Sequence, residues 1–280
     1  MIDKTEISRQ VAVALQEDIG TGDVTAALIA ENSRSKANVV SREPAILCGQ
    51  AWFNEVFYQL DPKIEIDWLI KDGEQTHADQ TLCHLQGKSR SLLTGERTAL
   101  NFLQTLSATA TLTRQYVDKL EALSTIVLDT RKTLPGLRRA QKYAVLTGGG
   151  HNHRVGLFDG ILIKENHIDA AESISDVLRI ADKIRPSDCF VEIEVANIDQ
   201  LRQALKAGAK RILLDNFSIG ALKDAVALNQ GRAKLEASGN VSLENIAQIA
   251  KTGVDFISVG AITKNIRAVD LSMLFVHFDD

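Results

Sequence analysis

Seven basic residues and one acid lie from Arg131 to Lys164, although the chain of 280 residues carries 36 acids against 32 lysines and arginines. Four of these cations, Arg131, Lys132, Arg154 and Lys164, lie at the ends of apolar segments or in the glycine-rich turn between them. In a fold of repeated strands and helices, such side chains converge on one site instead of spreading over a surface. The pattern therefore predicts a pocket for a small polyanion. It argues against binding of a nucleic-acid duplex, which needs a broad basic surface.

The elements that must position these residues begin near Thr125. From there, short β-branched segments alternate with amphipathic helical segments, which is typical of a parallel sheet. The strands end in charged or small residues, in the sequences TRK, KEN, EVAN, DN, EASGN and VGA. In an α/β barrel these ends form one rim, whereas a doubly wound sheet gathers its ligand groups at a switch point and usually opens with GxGxxG, which is absent. We expect an α/β barrel, and six clear strands predict an incomplete (open) one.

The first hundred or so residues lack this alternation and predict a separate α+β domain. We place that domain at residues 1–111 and the barrel at 112–270, and we expect the apolar segment 271–280 to pack back on the first domain or on a partner subunit.

No segment is long and apolar enough to cross a bilayer, so we expect no membrane partner. The first twenty residues predict an amphipathic helix instead of a signal peptide, which indicates a cytoplasmic location. The three cysteines have no metal or disulfide spacing and are expected to be buried thiols.

Two turns after the last two strands predict phosphate binding. The turn Ser238-Gly239-Asn240 precedes a helical segment that begins at once, and Val259-Gly260-Ala261 follows the next strand. Backbone N–H groups at such turns bind phosphate, and glycine lets the backbone approach closely. Ordinary helix capping is the alternative for each turn.

Acids at neighbouring strand ends predict a second set of ligand groups. Glu194 and Asp215 each end an apolar strand and could hold Mg²⁺ on a pyrophosphate or bind ribose hydroxyls. Salt bridges within the barrel are the alternative. Glu192 has the same parity as Glu194, so it should also point inward and pair with an Arg or Lys.

The remaining polar residues have less specific interpretations. Three glycines before His153 and Arg154 either let a loop curl around a ligand or simply end a helix. His151 and His153 lack a third ligand at metal spacing, so a metal site is disfavoured. Arg97 interrupts an apolar helical segment and should be anchored by Glu96 or by a ligand. A solvated helix face is expected for three further cations, Arg138, Arg139 and Lys142.

Long motifs along nearly the whole chain closely resemble the quinolinate phosphoribosyltransferase family, the carboxylating nicotinate-nucleotide pyrophosphorylases. They are, in family order, EDIGTGDVT, GERTALNFLQTLSATAT, DTRKTLPGLR, QKYAVLTGGGHNHRVGLFDGILIKENH, EIEVAN, LLDNFS, LEASGN and GVDFISVGAIT. The resemblance implies an N-terminal α+β sandwich domain, an incomplete α/β barrel and a homodimer in which Arg97 is donated to the neighbouring subunit's site.

The resemblance also assigns the site residues. Those that bind the quinolinate carboxylates and the pyrophosphate side would be Thr130, Arg131, Lys132, His153, Arg154 and Lys164. Those near the ribose hydroxyls and Mg²⁺ would be Glu194 and Asp215. Those that bind the 5′-phosphate would be Ser238, Gly239, Asn240, Val259, Gly260 and Ala261. Among all of these, we expect the catalytic residues to be Lys132, Lys164, Glu194 and Asp215.

The implied reaction joins quinolinate to 5-phosphoribosyl-1-pyrophosphate (PRPP), with Mg²⁺ as cofactor, and gives nicotinate mononucleotide, pyrophosphate and CO2 in NAD biosynthesis. Two alternatives remain open from the residues. One is a related phosphoribosyltransferase that acts on nicotinate or another heteroaromatic acid, although four cations suit a dicarboxylate better. The other is a non-catalytic anion-binding barrel, which would gain nothing from Glu194 and Asp215 beside its ligand.

Overall fold

The computed structural model describes residues 3–171 and 173–276, and these divide into two compact units. Of the described residues, the first unit contains those up to 114, 134–149 and those from 265 onward, and the second contains 115–133 and 150–264. The helices are α1 (Lys4–Ile19), α2 (Gln50–Leu60), α3 (Ser89–Asp118), α4 (Arg138–Thr147), α5 (Glu165–Asp169), α6 (Ile174–Ile184), α7 (Ile198–Lys206), α8 (Ile219–Asn229), α9 (Ile246–Ala250) and α10 (Ala261–Lys264). The strands are β1 (Arg34–Ser41), β2 (Ala45–Ile46), β3 (Glu65–Trp68), β4 (Gln75–Thr76), β5 (Gln80–Lys88), β6 (Ile126–Leu128), β7 (Gly160–Ile163), β8 (Phe190–Val195), β9 (Arg211–Asp215), β10 (Lys234–Ser238), β11 (Phe256–Ser258) and β12 (Leu271–Val276).

The first unit is an antiparallel sheet with helices, in the strand order β12-β1-β5-β3. Helix α2 buries Trp52, Phe53 and Phe57 in its core. The first turn of α2 is capped from a distance, because the carboxylate of Asp72 accepts hydrogen bonds from the backbone N–H groups of Gly49 and Gln50. A cap of this kind is worth about 1 kcal/mol. The unit is the α+β domain that the sequence predicts.

Two segments from outside the predicted range 1–111 belong to the first unit. Strand β12 pairs antiparallel with β1, from Lys36 opposite Val276 to Ser41 opposite Leu271. The expectation that 271–280 packs back also concerned residues 277–280, which lie outside the described residues. Residues 134–149, which the sequence placed in the barrel, join the first unit because Ala140 and Ala144 of α4 are part of its buried core.

The glycines after α4 have a packing role. A Cβ atom at Gly148 would lie 2.4 Å from the carbonyl oxygen of Ala110 in α3, so only glycine allows the two helices to approach this closely. Gly149 has a φ of 91° and ends α4 in the left-handed region. Of the two interpretations of this glycine run, the end of a helix is therefore the one that the geometry of Gly148 and Gly149 supports.

The second unit is an open α/β barrel, as predicted. Its six parallel strands have the order β6-β11-β10-β9-β8-β7. From β7 to β11, each strand lies beside the next strand in the chain, whereas in a doubly wound sheet the strand order reverses direction at a switch point. Strands β6 and β7 are the two edges, and the sheet of the described residues is not closed. We call the edge at which these six strands end the carboxyl rim. It is the edge at which barrel enzymes place their ligands.

Two further expectations concern the whole chain. Within the part that the structure describes, no helix has both the length and the apolar character needed to span a membrane. The thiols of Cys48, Cys83 and Cys189 are free and buried, as the spacing predicted.

Candidate active site

The turn after β6 holds three of the predicted site residues at the carboxyl rim. The backbone N–H of Lys132 donates to the hydroxyl of Thr130 over 3.0 Å, and the carbonyl of Lys132 accepts from the hydroxyl of Thr263 over 2.8 Å. A Cβ atom at Gly260 would lie 3.2 Å from the Lys132 side chain and 3.6 Å from the Thr130 hydroxyl. The turns after β6 and β11 are thus in contact, and Gly260 leaves room for the Lys132 side chain between them.

Arg154 is a buried cation beside a second cation. Its side chain donates to the carbonyl of Gly160 over 3.1 Å, and the residue is only 9% exposed. Burial lowers the pKa of the Arg154 guanidinium, and the nearby charge of Arg131 lowers it further, while Asp159 and Glu192 act in the opposite direction. The charge of an anionic ligand would offset both the free-energy cost of burying the guanidinium of Arg154 and its repulsion by Arg131.

His153 is oriented by hydrogen bonds at both ring nitrogens. Nδ1 accepts from the backbone N–H of Arg154 over 2.8 Å, and Nε2 lies 2.7 Å from a carboxylate oxygen of Glu192. Because Nδ1 is an acceptor, the ring proton is on Nε2 and is donated to Glu192. The backbone N–H of His153 also donates to Asp129 over 2.8 Å. These contacts fix the loop that carries Arg154.

Glu192 belongs to a cluster inside the barrel that also contains Arg211, Glu236 and His153, and that we call the buried ion cluster. Arg211 donates to Glu192 over 2.9 Å and to Glu236 over 2.6 Å. Its guanidinium lies 4.7 Å from the ring centre of Phe190, and a second phenylalanine ring, Phe256, is at 4.6 Å. The predicted inward pairing of Glu192 with a basic residue is confirmed.

The charges of the buried ion cluster depend on one proton. Burial and then the charge of Glu192 raise the pKa of Glu236 to about 7, and one of its carboxylate oxygens has no hydrogen-bond partner among the described residues. Burial also acts to raise the pKa of Glu192, but His153 and Arg211 hold it below its usual value. Glu236 is therefore the carboxyl group in this cluster that stays protonated up to about pH 7.

The fold supplies ligand atoms near His153 that the sequence spacing did not reveal. His153 Nε2 and carboxylate oxygens of Glu192 and Glu236 all lie within 4.8 Å of one another, a grouping that could hold a metal ion. Arg211 already supplies positive charge to both carboxylates, however, and the proton of Glu236 can supply the rest. The cluster is thus balanced by protein groups.

The acids predicted at the carboxyl rim lie on adjacent strands, Glu194 on β8 and Asp215 on β9. One oxygen of Glu194 accepts from the ammonium of Lys164 over 2.6 Å, and one oxygen of Asp215 accepts from the amide of Asn216 over 2.8 Å. Among the described residues, no hydrogen bond reaches the other oxygen of either carboxylate. Both side chains are half-buried, and both can offer an oxygen to a hydroxyl or to a hard cation such as Mg²⁺.

The turn at Ser238-Gly239-Asn240 differs from the expectation in one respect. Helix α9 does not begin at once but at Ile246, after a further turn. Gly239 and Asn240 both have positive φ, 100° and 50°, so the backbone turns sharply at the rim before the helix starts. Phosphate binding here would therefore depend on the N–H groups of the turn itself. At the second turn, α10 begins directly after Gly260.

Cations outside the second unit have mixed outcomes. Arg97 lies on α3 in the first unit and is exposed, although Glu96 is close enough for their charges to interact. Arg139 is exposed, as expected, and Arg138 is half-buried. The expectation for Lys142 is wrong: it is 2% exposed, because the face of α4 that carries it is also the face that packs against the core.

Three residues of this region, Arg211, Glu236 and Asn216, are absent from the sequence-based predictions. Arg211 and Glu236 could have been found, because each is a charged residue in an apolar strand. Arg211 has the same parity as Asp215 at the end of its strand, and Glu236 has the same parity as Ser238. The same strand parity that places Glu192 inside the barrel also places Arg211 and Glu236 there. Asn216 gave no signal, because an Asn after a strand is common in turns.

An open barrel with cations, paired acids and glycine turns at its carboxyl rim is an architecture of enzymes that bind phosphorylated substrates. The family model described as the N-terminal domain of quinolinate phosphoribosyl transferase matches residues 23–107, and that of the C-terminal domain matches residues 109–274. The chain belongs to the quinolinate phosphoribosyltransferase family.

Individual relatives agree with the family models. A Bacillus subtilis protein described as a probable nicotinate-nucleotide pyrophosphorylase (carboxylating) is 40% identical over 257 residues, which cover 92% of this chain and 89% of that protein. A Nicotiana tabacum quinolinate phosphoribosyltransferase (decarboxylating) is 38% identical over 288 residues, covering 96% of this chain and 82% of that protein. The solved structure of the nicotinate-nucleotide pyrophosphorylase from Francisella tularensis has a TM-score of 0.95 and 49% identity, covering 99% of this chain and 98% of that one.

Proposed function

We propose that the protein is a quinolinate phosphoribosyltransferase, which converts quinolinate and PRPP to nicotinate mononucleotide, pyrophosphate and CO2. The observation that carries the proposal is the pair of neighbouring guanidinium groups, Arg131 and buried Arg154, in a protein with a net charge of −4. Lys132 and Lys164 follow two strands that end at the same rim. Arg154 is buried and Arg131 is half-buried, so a ligand of opposite charge would offset both the desolvation of the Arg154 guanidinium and its repulsion by Arg131. The product belongs to NAD biosynthesis, so the enzyme would serve that pathway.

The acceptor side is built for a dicarboxylate. Arg131 and Arg154 can each form a charge-assisted pair with a carboxylate, and His153 fixes the backbone of Arg154 through its Nδ1 atom. Lys164 is already paired with Glu194, so its charge is shared between the rim acid and an incoming anion. Thr130 adds a hydroxyl at the same turn. A monocarboxylate such as nicotinate would leave one of the guanidinium groups without an anion.

The donor side combines the rim acids with the glycine turns. Glu194 and Asp215 would accept hydrogen bonds from ribose hydroxyls. The 5′-phosphate would be bound by backbone N–H groups of two turns, with the residues Ser238, Gly239, Asn240, Val259, Gly260 and Ala261. Lys132, whose side chain lies beside Gly260, would neutralise charge on the departing pyrophosphate.

Mg²⁺ is the cofactor we propose, and the donor set fits it. Each of Glu194 and Asp215 keeps one carboxylate oxygen for a ligand, and hard oxygen donors are what Mg²⁺ prefers. When bound, Mg²⁺ would neutralise the charge of the pyrophosphate.

The proposed reaction requires the two substrates to be positioned and their charges to be stabilised, and it needs no covalent intermediate with the protein. The bond between ribose C1 and the pyrophosphate oxygen breaks, and the pyridine nitrogen of quinolinate forms a new bond to C1. The ring nitrogen is then positively charged and accepts the electron pair when the bond to the adjacent carboxylate breaks and CO2 leaves. A proton replaces CO2 on that ring carbon. The protein contributes by holding nitrogen and C1 in contact and by stabilising the charges with Lys132, Lys164 and the rim acids.

We propose a homodimer in which Arg97 completes the neighbouring subunit's site. Arg97 is exposed on α3, so its guanidinium can reach a ligand of another subunit. A cytoplasmic location stays a prediction, which cell fractionation would check.

The direct test is pyrophosphate release by the purified protein with PRPP, Mg²⁺ and either quinolinate or nicotinate. We expect release with quinolinate and at least about a hundredfold less with nicotinate, since nicotinate lacks one charge-assisted contact. Equal rates with both acids would favour a transferase for another heteroaromatic acid. Binding of both substrates without turnover would favour a non-catalytic anion-binding barrel.

A further inference from the structure

Asn216 connects the two ligand-binding parts of the donor side. It follows Asp215 directly and has a φ of 55°, in the left-handed region that Asn tolerates. Its side-chain amide donates to Asp215 Oδ2 over 2.8 Å, and its backbone N–H donates to the carbonyl of Ser238 over 2.8 Å. One residue thus holds both a rim acid and the first residue of the turn Ser238-Gly239-Asn240.

The same side chain supports the next two residues of that turn. A Cβ atom at Gly239 would lie 2.1 Å from Asn216 Oδ1 and 3.1 Å from the backbone nitrogen of Asn216, so the glycine backbone rests directly on Asn216. The amide of Asn240 lies 3.5 Å from the same Oδ1 atom, at the outer limit of a hydrogen bond. The identity of Gly239 is therefore explained by Asn216 as well as by phosphate.

We infer that Asn216 is a positioning residue for the phosphoribosyl substrate, which sets the spacing between the carboxylate of Asp215 and the turn Ser238-Gly239-Asn240. The inference rests on the proposed function. By occupying Oδ2, the amide leaves Oδ1 of Asp215 available to a ligand. The strand register places Ser238 opposite Asp215, so the two contacts of Asn216 span adjacent strands at one level of the barrel. Neither contact involves Arg131 or Arg154, the residues proposed for quinolinate, so quinolinate binding should not depend on Asn216.

A left-handed backbone alone does not account for this arrangement. Gln230, at the end of α8, also has positive φ, 50°, but it ends a helix and its backbone N–H donates to Val226 of that helix. Gln230 therefore offers a matched control, in which an amide is changed to an acid at a left-handed position away from the rim.

The test compares Asn216→Asp, Asn216→Gly and Gln230→Glu with the wild type. Asn216→Asp keeps the shape, the left-handed backbone and the backbone N–H, but it removes the donor to Asp215 and places a second negative charge beside it. Asn216→Gly keeps the backbone and removes the side chain without adding charge.

We expect both Asn216 variants to raise KM for PRPP by about tenfold to a hundredfold and to lower kcat, because a hydrogen bond to a charged group is lost. Their calorimetric Kd for quinolinate should stay within about twofold of wild type, and Gln230→Glu should change neither quantity.

The outcomes separate this inference from the proposed function. If the wild type binds PRPP and quinolinate but Asn216→Asp or Asn216→Gly keeps the wild-type KM for PRPP, the inference is wrong and the proposed function stands. Equal weakening of both substrates would assign Asn216 a general structural role and also overturn the inference. If the wild type itself releases no pyrophosphate and binds neither substrate, both the proposed function and the inference fail.

Discussion

Changing Glu236 to glutamine should alter the pH dependence of stability, because the fold raises the pKa of this carboxyl to about 7 from its usual 4.5. The residue is fully buried beside Glu192, and one of its oxygens has no hydrogen-bond partner among the described residues. Between these two pH values the folded protein holds a proton that the unfolded chain releases. Stability therefore falls as pH rises through this range.

The magnitude follows from the size of the pKa difference. One pKa unit corresponds to about 1.4 kcal/mol, so the full loss between pH 4.5 and 7 is about 3 kcal/mol. Glu192 does not obscure this range, since its pKa is lowered and its contribution changes only below its usual value. Glutamine at 236 keeps an acceptor for Arg211 but does not titrate.

Urea denaturation of wild type and Glu236→Gln at pH 5, 6, 7 and 8 measures the effect. The free energy of unfolding of wild type minus that of the variant should fall by about 2.5 kcal/mol across this series and level off near pH 8. The exposed acid-to-amide change Glu31→Gln is the control and should shift stability by less than about 0.5 kcal/mol. A difference that is constant, or that grows with pH, would refute the charge assignment of the buried ion cluster.

Three further predictions concern the rim and the dimer. Arg131→Ala should weaken quinolinate binding by roughly tenfold or more, with PRPP binding within about threefold of wild type; calorimetry would contradict this if both ligands weakened equally. Glu194→Gln and Asp215→Asn should each reduce kcat about tenfold or more while quinolinate still binds, and unchanged Mg²⁺-dependent rates in both would remove these acids from the site. Inactive Arg97→Ala and Lys164→Ala subunits, when mixed and exchanged, should recover up to roughly a quarter of wild-type activity, because about half the dimers are mixed and have one complete site. No recovery despite measured subunit exchange would place Arg97 outside the neighbouring site.

Side-chain parity made much of the barrel predictable. Each strand of a parallel barrel alternates between the interior and the helices, so Glu192 and Glu194 could be assigned inward positions from sequence alone. The parallel sheet followed from the alternation of strands and helices. The ends of the strands then predicted the rim to which Lys164 and Asp215 contribute.

Other features depend on tertiary contacts that periodicity does not report. Lys142 is polar and helical, and only the packing of α4 shows that its side chain is buried. The segment 134–149 follows a barrel strand in sequence, but its alanines pack in the core of the first unit. The role of Asn216 depends on a left-handed backbone and on the approach of Gly239 from another strand, neither of which a single sequence shows.

The central claim is tested most directly by following the carbon that is lost. Quinolinate labelled with ¹³C in the carboxylate next to the ring nitrogen is incubated with PRPP, Mg²⁺ and the protein, and labelled CO2, pyrophosphate and the nucleotide are measured together. We predict equal molar amounts of the three products, with all of the label in CO2 and none in the nucleotide. Retention of the label in the nucleotide, or pyrophosphate formed without labelled CO2, would contradict the proposed reaction.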